Sequence, residues 1–335
     1  MSQGAVAERA RGQGMAPTDI SNPKYFHKVV DCQWACPTHT PVPEYIRLIA
    51  QGRYAAAYML NWESNVFPGI LGRVCDRPCE PACRRGRVQI GDETNAKDPS
   101  RRNAEPVAIC RLKRVAADYK GEIDAFLPEI PKAKNGKRIA LLGAGPASLA
   151  VARDLLPLGY HVTLFEKDPK GGGLMRTNIP SFRLPEYVLD EEVNRIIDFG
   201  IETRFGHEVT SLKALLAEGF AAVFVGTGAP KGKDLDIPGR QEAAANIHIG
   251  IDFLTSVAFG HITKIGKRVI VIGGGNTAMD CCRTALRLGG ESVTVTVRSP
   301  RKVMKASDWE IKDALHEGIP ILDNHAPKHF VIKNG

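Results

Sequence analysis

"KRIALLGAGPASLAVARDLLPLGYHVTLFEK", residues 137–167, decides the fold. A short apolar run rich in β-branched and aliphatic residues meets a turn of small residues. A stretch with helical spacing follows, then a second apolar run that ends in an acid. Gly143 and Gly145 lie in the turn. The first supplies the tight bend, and the second lets the backbone approach a pyrophosphate at the helix N-terminus. Position 148, the third of this glycine fingerprint, is Ser148, still small enough for a helix to pack closely on a strand. Glu166 closes the second strand, 23 residues after Gly143, where an acid can bind a ribose hydroxyl. This order predicts a dinucleotide-binding unit; the plainer alternative is a strand–helix turn without a ligand.

The pattern returns downstream. "AAVFVGTG" (221–228) reads as another apolar strand closed by glycines, and "KRVIVIGGGNTAMDCCRTALRLGGESVTVTVR" begins at Lys267, 130 residues after Lys137. Gly273 and Gly275 repeat the turn, with Ala278 in third place. The following strand ends in Arg298, with Arg301 and Lys302 close behind. An acid there favours NAD, whereas a base accommodates the 2′-phosphate of NADP, so NADPH is expected, with NADH as the alternative. The plain reading of these bases is a solvated surface. Cys281 and Cys282 are neighbours on a helix, cannot share one face, and read as core residues without chemistry. Strands alternating with helices predict an α/β fold with parallel sheets.

The chain ahead of residue 136 differs. Residues 31–125 carry six of the eight cysteines. "VCDRPCEPACRRG" (74–86) spaces Cys75, Cys79 and Cys83 by four. Pro78 and Pro81 bar a regular helix, which predicts an irregular wrap with inward thiols, suited to a metal centre. "PEYIRLIAQGRYAAAYML" (43–60) reads as two helices broken at Gly52, and "EPVAICRLKRVAADY" (105–119) as another. No strand is expected in this region. "RVQIGDETNAKDPSRRNA" (87–104) reads as a surface loop, "LPEIPKAKNGK" (127–137) as a linker, and residues 1–30 as a disordered tail.

A chain of 335 residues suits two or three domains. No apolar run reaches the roughly 18 residues of a membrane span, and the N-terminus has no apolar core of a signal peptide, so a cytoplasmic protein is expected. In that compartment eight cysteines point to metal or redox chemistry rather than disulfides. The net charge is +8, with clusters at Arg84, Arg85 and Arg87 and at Arg101 and Arg102. They form either a solvated face or a docking patch for an acidic electron-transfer partner. No nucleic-acid motif accompanies them.

These features together resemble the small (beta) subunit of glutamate synthase and the wider family that includes the N-terminal part of dihydropyrimidine dehydrogenase. The marks are "CQWACP", "GRVCDRPCEPACRRG", "EPVAICRLKRVAADY", "GAGPAS", "IPSFRLP", "VGTGAP", "IPG" and "GGGNTAMD". The resemblance implies an N-terminal helical iron–sulfur domain (31–125) followed by two Rossmann-like domains. These are an FAD-binding one (136–232) and an inserted, incomplete NAD(P)H-binding one (233–335). It implies FAD contacts at Gly143, Gly145, Pro146, Ala147, Ser148, Glu166, Gly173, Leu174 and Gly228, and NADPH contacts at Gly273, Gly275, Asn276, Thr277, Arg298 and Arg301. Electrons would pass as hydride to the flavin, then singly through a [4Fe–4S] cluster to a redox partner protein, a large catalytic subunit or a ferredoxin, in a hetero-oligomer.

The family's first motif, C-x2-C-x4-C-x3-C-P, keeps only Cys32 and Cys36 here, with Lys24 and His27 near the first two places. The resemblance assigns Cys36, Cys75 and Cys79 to one cluster. Its fourth ligand would be a polar side chain near Lys113, or Cys110 about one turn away. Cys32 and Cys83 would belong to a second cluster that lacks two ligands, so one cluster is expected; either could instead complete the single cluster. Read from the residues alone, the cysteines also suit a structural zinc site or a set of buried thiols. Family members return from the NADPH domain to complete the flavin site, whereas this sequence stops at "HFVIKNG". The expectation is a fragment, or a chain that another polypeptide completes. The leading reading is an electron-transfer oxidoreductase subunit without catalytic acid–base residues of its own. The competing reading is a non-catalytic assembly or remnant subunit.

Overall fold

The computed structural model describes residues 30–91 and 102–333. The expected tail up to residue 29, the middle of the expected loop and Arg101 lie outside them. The chain forms two compact units, Met1–Asn65 with Arg77–Lys120, and Val66–Asp76 with Gly121–Gly335.

The first unit contains α1 (Asp31–Ala35), α2 (Val42–Ala50) and α3 (Tyr54–Asn65). The break between α2 and α3 falls at Gly52, whose φ of 71° is the left-handed conformation that ends helices. On α3 the buried residues Ala57, Tyr58, Asn61, Trp62 and Asn65 recur at helical spacing. Helix α5 (Ile109–Asp118) packs on both α2 and α3 and buries Ile109, Cys110, Lys113, Ala116 and Ala117. The unit is not all-helical. Strands β1 (Gln89–Ile90) and β2 (Arg102–Asn103) pair antiparallel where a strand-free loop is expected. Two residues on each side give too short an alternation to register as a strand in the sequence.

Val66–Asp76, with α4 (Pro68–Val74), belongs to the second unit, although its sequence neighbours lie in the first. Val66, Phe67 and Ile70 join the core around the first parallel sheet. Glu192 secures this helix: its buried carboxylate accepts from the N–H groups of Gly69 (2.7 Å) and Ile70 (2.9 Å). These are first-turn donors without partners in their own helix, and the negative charge suits the positive end of the helix dipole. The expected linker is docked as well. Ile130 packs on the core, and Asn135 bonds to Leu158 and Gly159.

The first sheet comprises β3 (Arg138–Leu142), β4 (His161–Glu166), β5 (Glu202–Phe205) and β6 (Ala222–Val225), all parallel in the order β5-β4-β3-β6. Parallel strands need crossovers. Helix α6 (Pro146–Leu155) carries the chain from β3 to β4. Helices α7 (Leu174–Thr177), α8 (Glu186–Ile197) and α9 (Leu212–Ala217) follow. After α10 (Gly250–Ala258) comes a second parallel sheet, β7 (Arg268–Ile272), β8 (Ser292–Val297) and β9 (Ile321–Asp323), in the order β7-β8-β9. Helices α11 (Asn276–Arg287) and α12 (Asp308–His316) make its crossovers.

A buried ionic network joins the "IPSFRLP" loop to this second half. Arg183 donates to both oxygens of Asp280 on α11 (2.8 and 2.7 Å) and reaches Glu310 on α12 (2.6 Å). Arg283 bridges Glu310 and Glu317, and Arg287 also holds Glu317. The rings and guanidinium groups continue it, with Arg283 and Arg287 over Phe182. Hydrogen bonding from Arg287, helped by Arg283, holds the Glu317 carboxyl at about 2. Burial pushes Asp280 up to about 6 against the pull of Arg183. Removing one member of such a network leaves buried charge without compensation. Arg183→Met is expected to destabilise the second unit by about 3–5 kcal/mol, read as a lower urea midpoint.

Candidate functional site

The first glycine turn stands at the carboxyl end of β3, where parallel sheets bind ligands. Gly143 has φ 88°, and a Cβ there would come 2.6 Å from the Gly226 carbonyl oxygen. Gly145 precedes Pro146, the first residue of α6, and its nearest neighbours lie 3.9 Å from a built Cβ. The α6 N-terminus is therefore open to a phosphate group. Pro146 suits the first helical position, and Ser148 is fully buried beneath the turn. Gly173, at the start of α7 with Leu174, brings its backbone against Gly145: a Cβ on it would lie 2.8 Å from the Gly145 Cα.

Glu166 is buried at the end of β4, and its two oxygens accept from the N–H groups of Ala144 (2.7 Å) and Asp168 (3.0 Å). The carboxylate thus shapes the turn, and each oxygen keeps a second lone pair that could accept from a hydroxyl. Sequence reasoning passed over Gly226. A Cβ at that position would collide with Ser148 Oγ. A side chain there would have to displace the Ser148 hydroxymethyl group, and the Phe224 ring crowds the same point at 3.0 Å. The sequence signal for it is the first glycine of "VGTG"; Gly228, the expected site residue, has open space around it.

In the second turn Gly275 precedes α11 with nothing within 4 Å of a built Cβ, and Gly273 opens the bend beside Ala278. Asn276, at the start of α11 before Thr277, is fixed by the residue that precedes α12. Its Oδ1 accepts from Ser307 N–H (2.8 Å), and Ser307 Oγ donates to Asp76 (2.8 Å). Arg298 is exposed and without a hydrogen-bond or ion-pair partner among the described residues. Arg301 is partly committed, donating to the Ile321 carbonyl at 2.9 Å. Cys281 and Cys282 are both buried, and desolvation pushes each thiol up to about 12, which makes them poor nucleophiles.

The cysteines of the first unit gather around Tyr45. Burial, followed by the charges of Cys110, Cys79, Cys32 and Cys36, pushes its phenol far above the ordinary range. Its hydroxyl donates to Ile109 O (2.9 Å) at the head of α5. Glu80, next to Cys79, accepts from the Cys110 N–H (3.1 Å) and so ties the wrap to α5. The stretch from Cys75 to Cys83 is irregular, as its prolines require, with Cys79 and Cys83 buried. Cys32 is raised by burial, with Cys83 and Cys79 adding to it. Burial also opposes the Cys36 thiolate, but the Thr38 and Thr40 hydroxyl and N–H groups outweigh it and hold its pKa below the usual thiol value. Lys113 is buried one turn from Cys110. Cys75 ends α4 in the second unit. Among the described residues, no three His, Cys, Asp or Glu side chains are close enough to hold a single metal ion. Around the basic cluster, Arg84 and Arg87 pair with Asp31, and Arg85 donates to the Glu105 carbonyl.

Residues 137–334 match the family model "Pyridine nucleotide-disulphide oxidoreductase". The chain belongs to this family. Residues 25–125 match a second model, the 4Fe-4S cluster domain II of dihydropyrimidine dehydrogenase, which bears out the resemblance read from the motifs. Among relatives, the chain is 36% identical to the NADPH-Fe(3+) oxidoreductase subunit beta of Geobacter sulfurreducens, over 90% of this chain and 44% of that protein. It is 33% identical to the glutamate synthase [NADPH] small chain of Azospirillum brasilense, over 89% and 62%. A third relative, the NAD-dependent dihydropyrimidine dehydrogenase subunit PreT homolog of Salmonella typhi, is 34% identical over 88% and 68%. The chain thus spans about half the length of the first of these relatives. Membership accounts for the α/β fold with two glycine turns behind a cysteine-bearing unit.

The steric pairing of Gly226 with Ser148 is testable. Gly226→Ala is expected to cost about 1–3 kcal/mol in denaturant unfolding, and adding Ser148→Gly should recover part of that loss. Additive effects of the two substitutions would show that the contact does not limit the turn.

Proposed function

We propose that the chain is an electron-transfer oxidoreductase subunit that takes electrons from NADPH through FAD to one [4Fe–4S] cluster and on to a partner protein. The observation that carries this is the presence in one chain of two open glycine turns on parallel sheets and a nest of cysteines around Tyr45. FAD, when bound, supplies the exchange between two-electron and one-electron chemistry. The chain's own residues bind and orient. Gly143, Gly145, Pro146, Ala147 and Ser148 shape the FAD pyrophosphate seat, with Gly173, Leu174 and Gly228 beside it in sequence role and Glu166 for the ribose. Gly273, Gly275, Asn276 and Thr277 form the corresponding NADPH seat, and Arg298, with Arg301, meets the 2′-phosphate. Cys36 and Cys79 are proposed cluster ligands. Cys75, by its spacing from Cys79, and Cys110 are proposed to complete the set, with Cys32 and Cys83 as alternates.

The partner is proposed to be a redox protein, either a large catalytic subunit or a ferredoxin; relatives are themselves named as a subunit beta and a small chain. Among the described residues no helix is long and apolar enough to cross a membrane. A cytoplasmic setting is the proposed location.

Two measurements test the reading. Purified anaerobically, the protein should hold close to four iron and four sulfide per chain, and Cys79→Ser should lose most of the iron while Cys281→Ser keeps it. Stoichiometric zinc without sulfide would overturn the assignment. A charge-assisted contact to the 2′-phosphate contributes about 1.5–3 kcal/mol, or roughly ten- to a hundred-fold. Arg298→Ala should therefore weaken NADPH binding by that factor and leave NADH binding nearly unchanged, as read by titration; equal losses would refute the proposed contact.

A further inference from the structure

The turn after α1 carries a hydrogen-bond chain that ends on a sulfur. His39 N–H donates to the Cys36 carbonyl (2.9 Å), His39 has φ 51°, and Gln33 Nε2 donates to the His39 carbonyl (3.2 Å). The tight turn so formed brings Thr38 back to Cys36, with Oγ1 3.4 Å from Sγ. Thr38 Oγ1 lies 3.1 Å from Thr40 Oγ1. Thr40 is 1% exposed, and its oxygen accepts from Ser64 Oγ (3.1 Å) and Asn65 Nδ2 (3.4 Å) on α3. As a neutral thiol, Cys36 donates to Thr40 at 3.5 Å. A thiolate can only accept.

Proton counting then sets the direction. Thr40 receives a hydrogen from Asn65, and from Ser64 when that hydroxyl turns to it rather than to the Asn61 carbonyl 3.2 Å away, so its own hydroxyl hydrogen is free to go to Thr38. Thr38, having accepted that bond, gives its hydrogen to the Cys36 sulfur. Each hydroxyl donates once, and each link polarises the next. The positive end of the chain points at the sulfur, and its buried end is anchored on a helix of the same unit.

The geometry points to Thr38 and Thr40 as positioning residues that raise the reduction potential of the cluster through Cys36. This rests on the proposed reading of Cys36 as a cluster ligand. One-electron reduction adds one negative charge to the cluster and its thiolates, the electron coming from the reduced coenzyme through the flavin. A hydroxyl dipole aimed at a ligating sulfur stabilises that added charge, and hydrogen bonds to the sulfurs are among the factors that set cluster potentials. Thr38 is exposed, so its γ-methyl and hydroxyl can be exchanged without opening the core. Thr40 is the buried relay.

The test uses the full chain reconstituted anaerobically with iron and sulfide, with redox titration followed by electron paramagnetic resonance. Thr38→Val is expected to keep full iron and sulfide and to lower the midpoint potential. Thr38→Ser, which restores the hydroxyl, is expected to return it to the wild-type value. Ser64→Ala, which removes one donor to Thr40 without touching the sulfur, should lower it by a smaller amount. An unmoved midpoint in Thr38→Val, or a fall in Thr38→Ser as large as in Thr38→Val, would overturn the proposal. If Thr38→Val fails to retain iron, Ser64→Ala decides: a lowered midpoint supports the chain, and an unmoved one overturns it. Cys36→Ser separates the two levels. Full iron and sulfide in that variant would remove Cys36 from the ligand set and with it the underlying reading. Loss of iron there with an unmoved Thr38→Val midpoint defeats the hydrogen-bond chain alone.

Discussion

The second unit depends on one guanidinium held against two buried carboxylates. Arg183 lies in a loop between α7 and α8, on the first-sheet side, yet its guanidinium pairs with Asp280 and Glu310 of the second half. An arginine fork fits two carboxylate oxygens at once, which makes the joint directional as well as strong. Because the carboxylates are buried, water cannot substitute for the arginine, and slippage between the halves would strand charge. Arg283, Arg287 and Glu317 extend the same joint to α12, so α11 and α12 move with the loop.

At the turns, space itself is the constraint. In the first, Gly143, Gly226 and Ser148 occupy one crowded point where β3 hands the chain to α6, and Gly145 and Gly173 face each other across the mouth. Backbone atoms form that mouth because any larger residue would fill it. A pyrophosphate is met by N–H groups and the helix dipole rather than by side-chain charge. The second turn is more open at Gly275, and its loop is braced by Asn276, Ser307 and Asp76. Arg298, the residue proposed to select between coenzymes, lies outside the turn and is exposed.

The cysteine-bearing unit works by a different logic. Its helices are short, α2, α3 and α5 pack on one another, and Tyr45 on α2 lies among Cys110, Cys79, Cys32 and Cys36. Glu80 holds the backbone of Cys110 at the head of α5, and the Thr38–Thr40 chain reaches the Cys36 sulfur itself. Ligating sulfurs need such outer contacts to fix their direction and tune their charge.

The two nucleotide-binding halves were legible in the sequence because each compresses its chemistry into about thirty contiguous residues. The apolar strand, the glycine turn, the helix and the terminal Glu166 or Arg298 follow one another, and local sterics dictate their order. The helix break at Gly52 and the irregular wrap through Pro78 and Pro81 were legible for the same reason, since φ preferences act on single residues. What the sequence could not show was every feature whose partners are far apart along the chain. Gly226 is crowded by Ser148, 78 residues earlier, together with the Phe224 ring. The two-residue ladder of β1 and β2 has no pattern of its own. Val66–Asp76 reads as part of the cysteine segment, yet Glu192, more than a hundred residues away, caps its helix and its apolar residues enter the core of the first sheet. Local preference sets turns and helix ends; burial and the pairing of charges decide which distant segments meet, and those are properties of the folded chain alone.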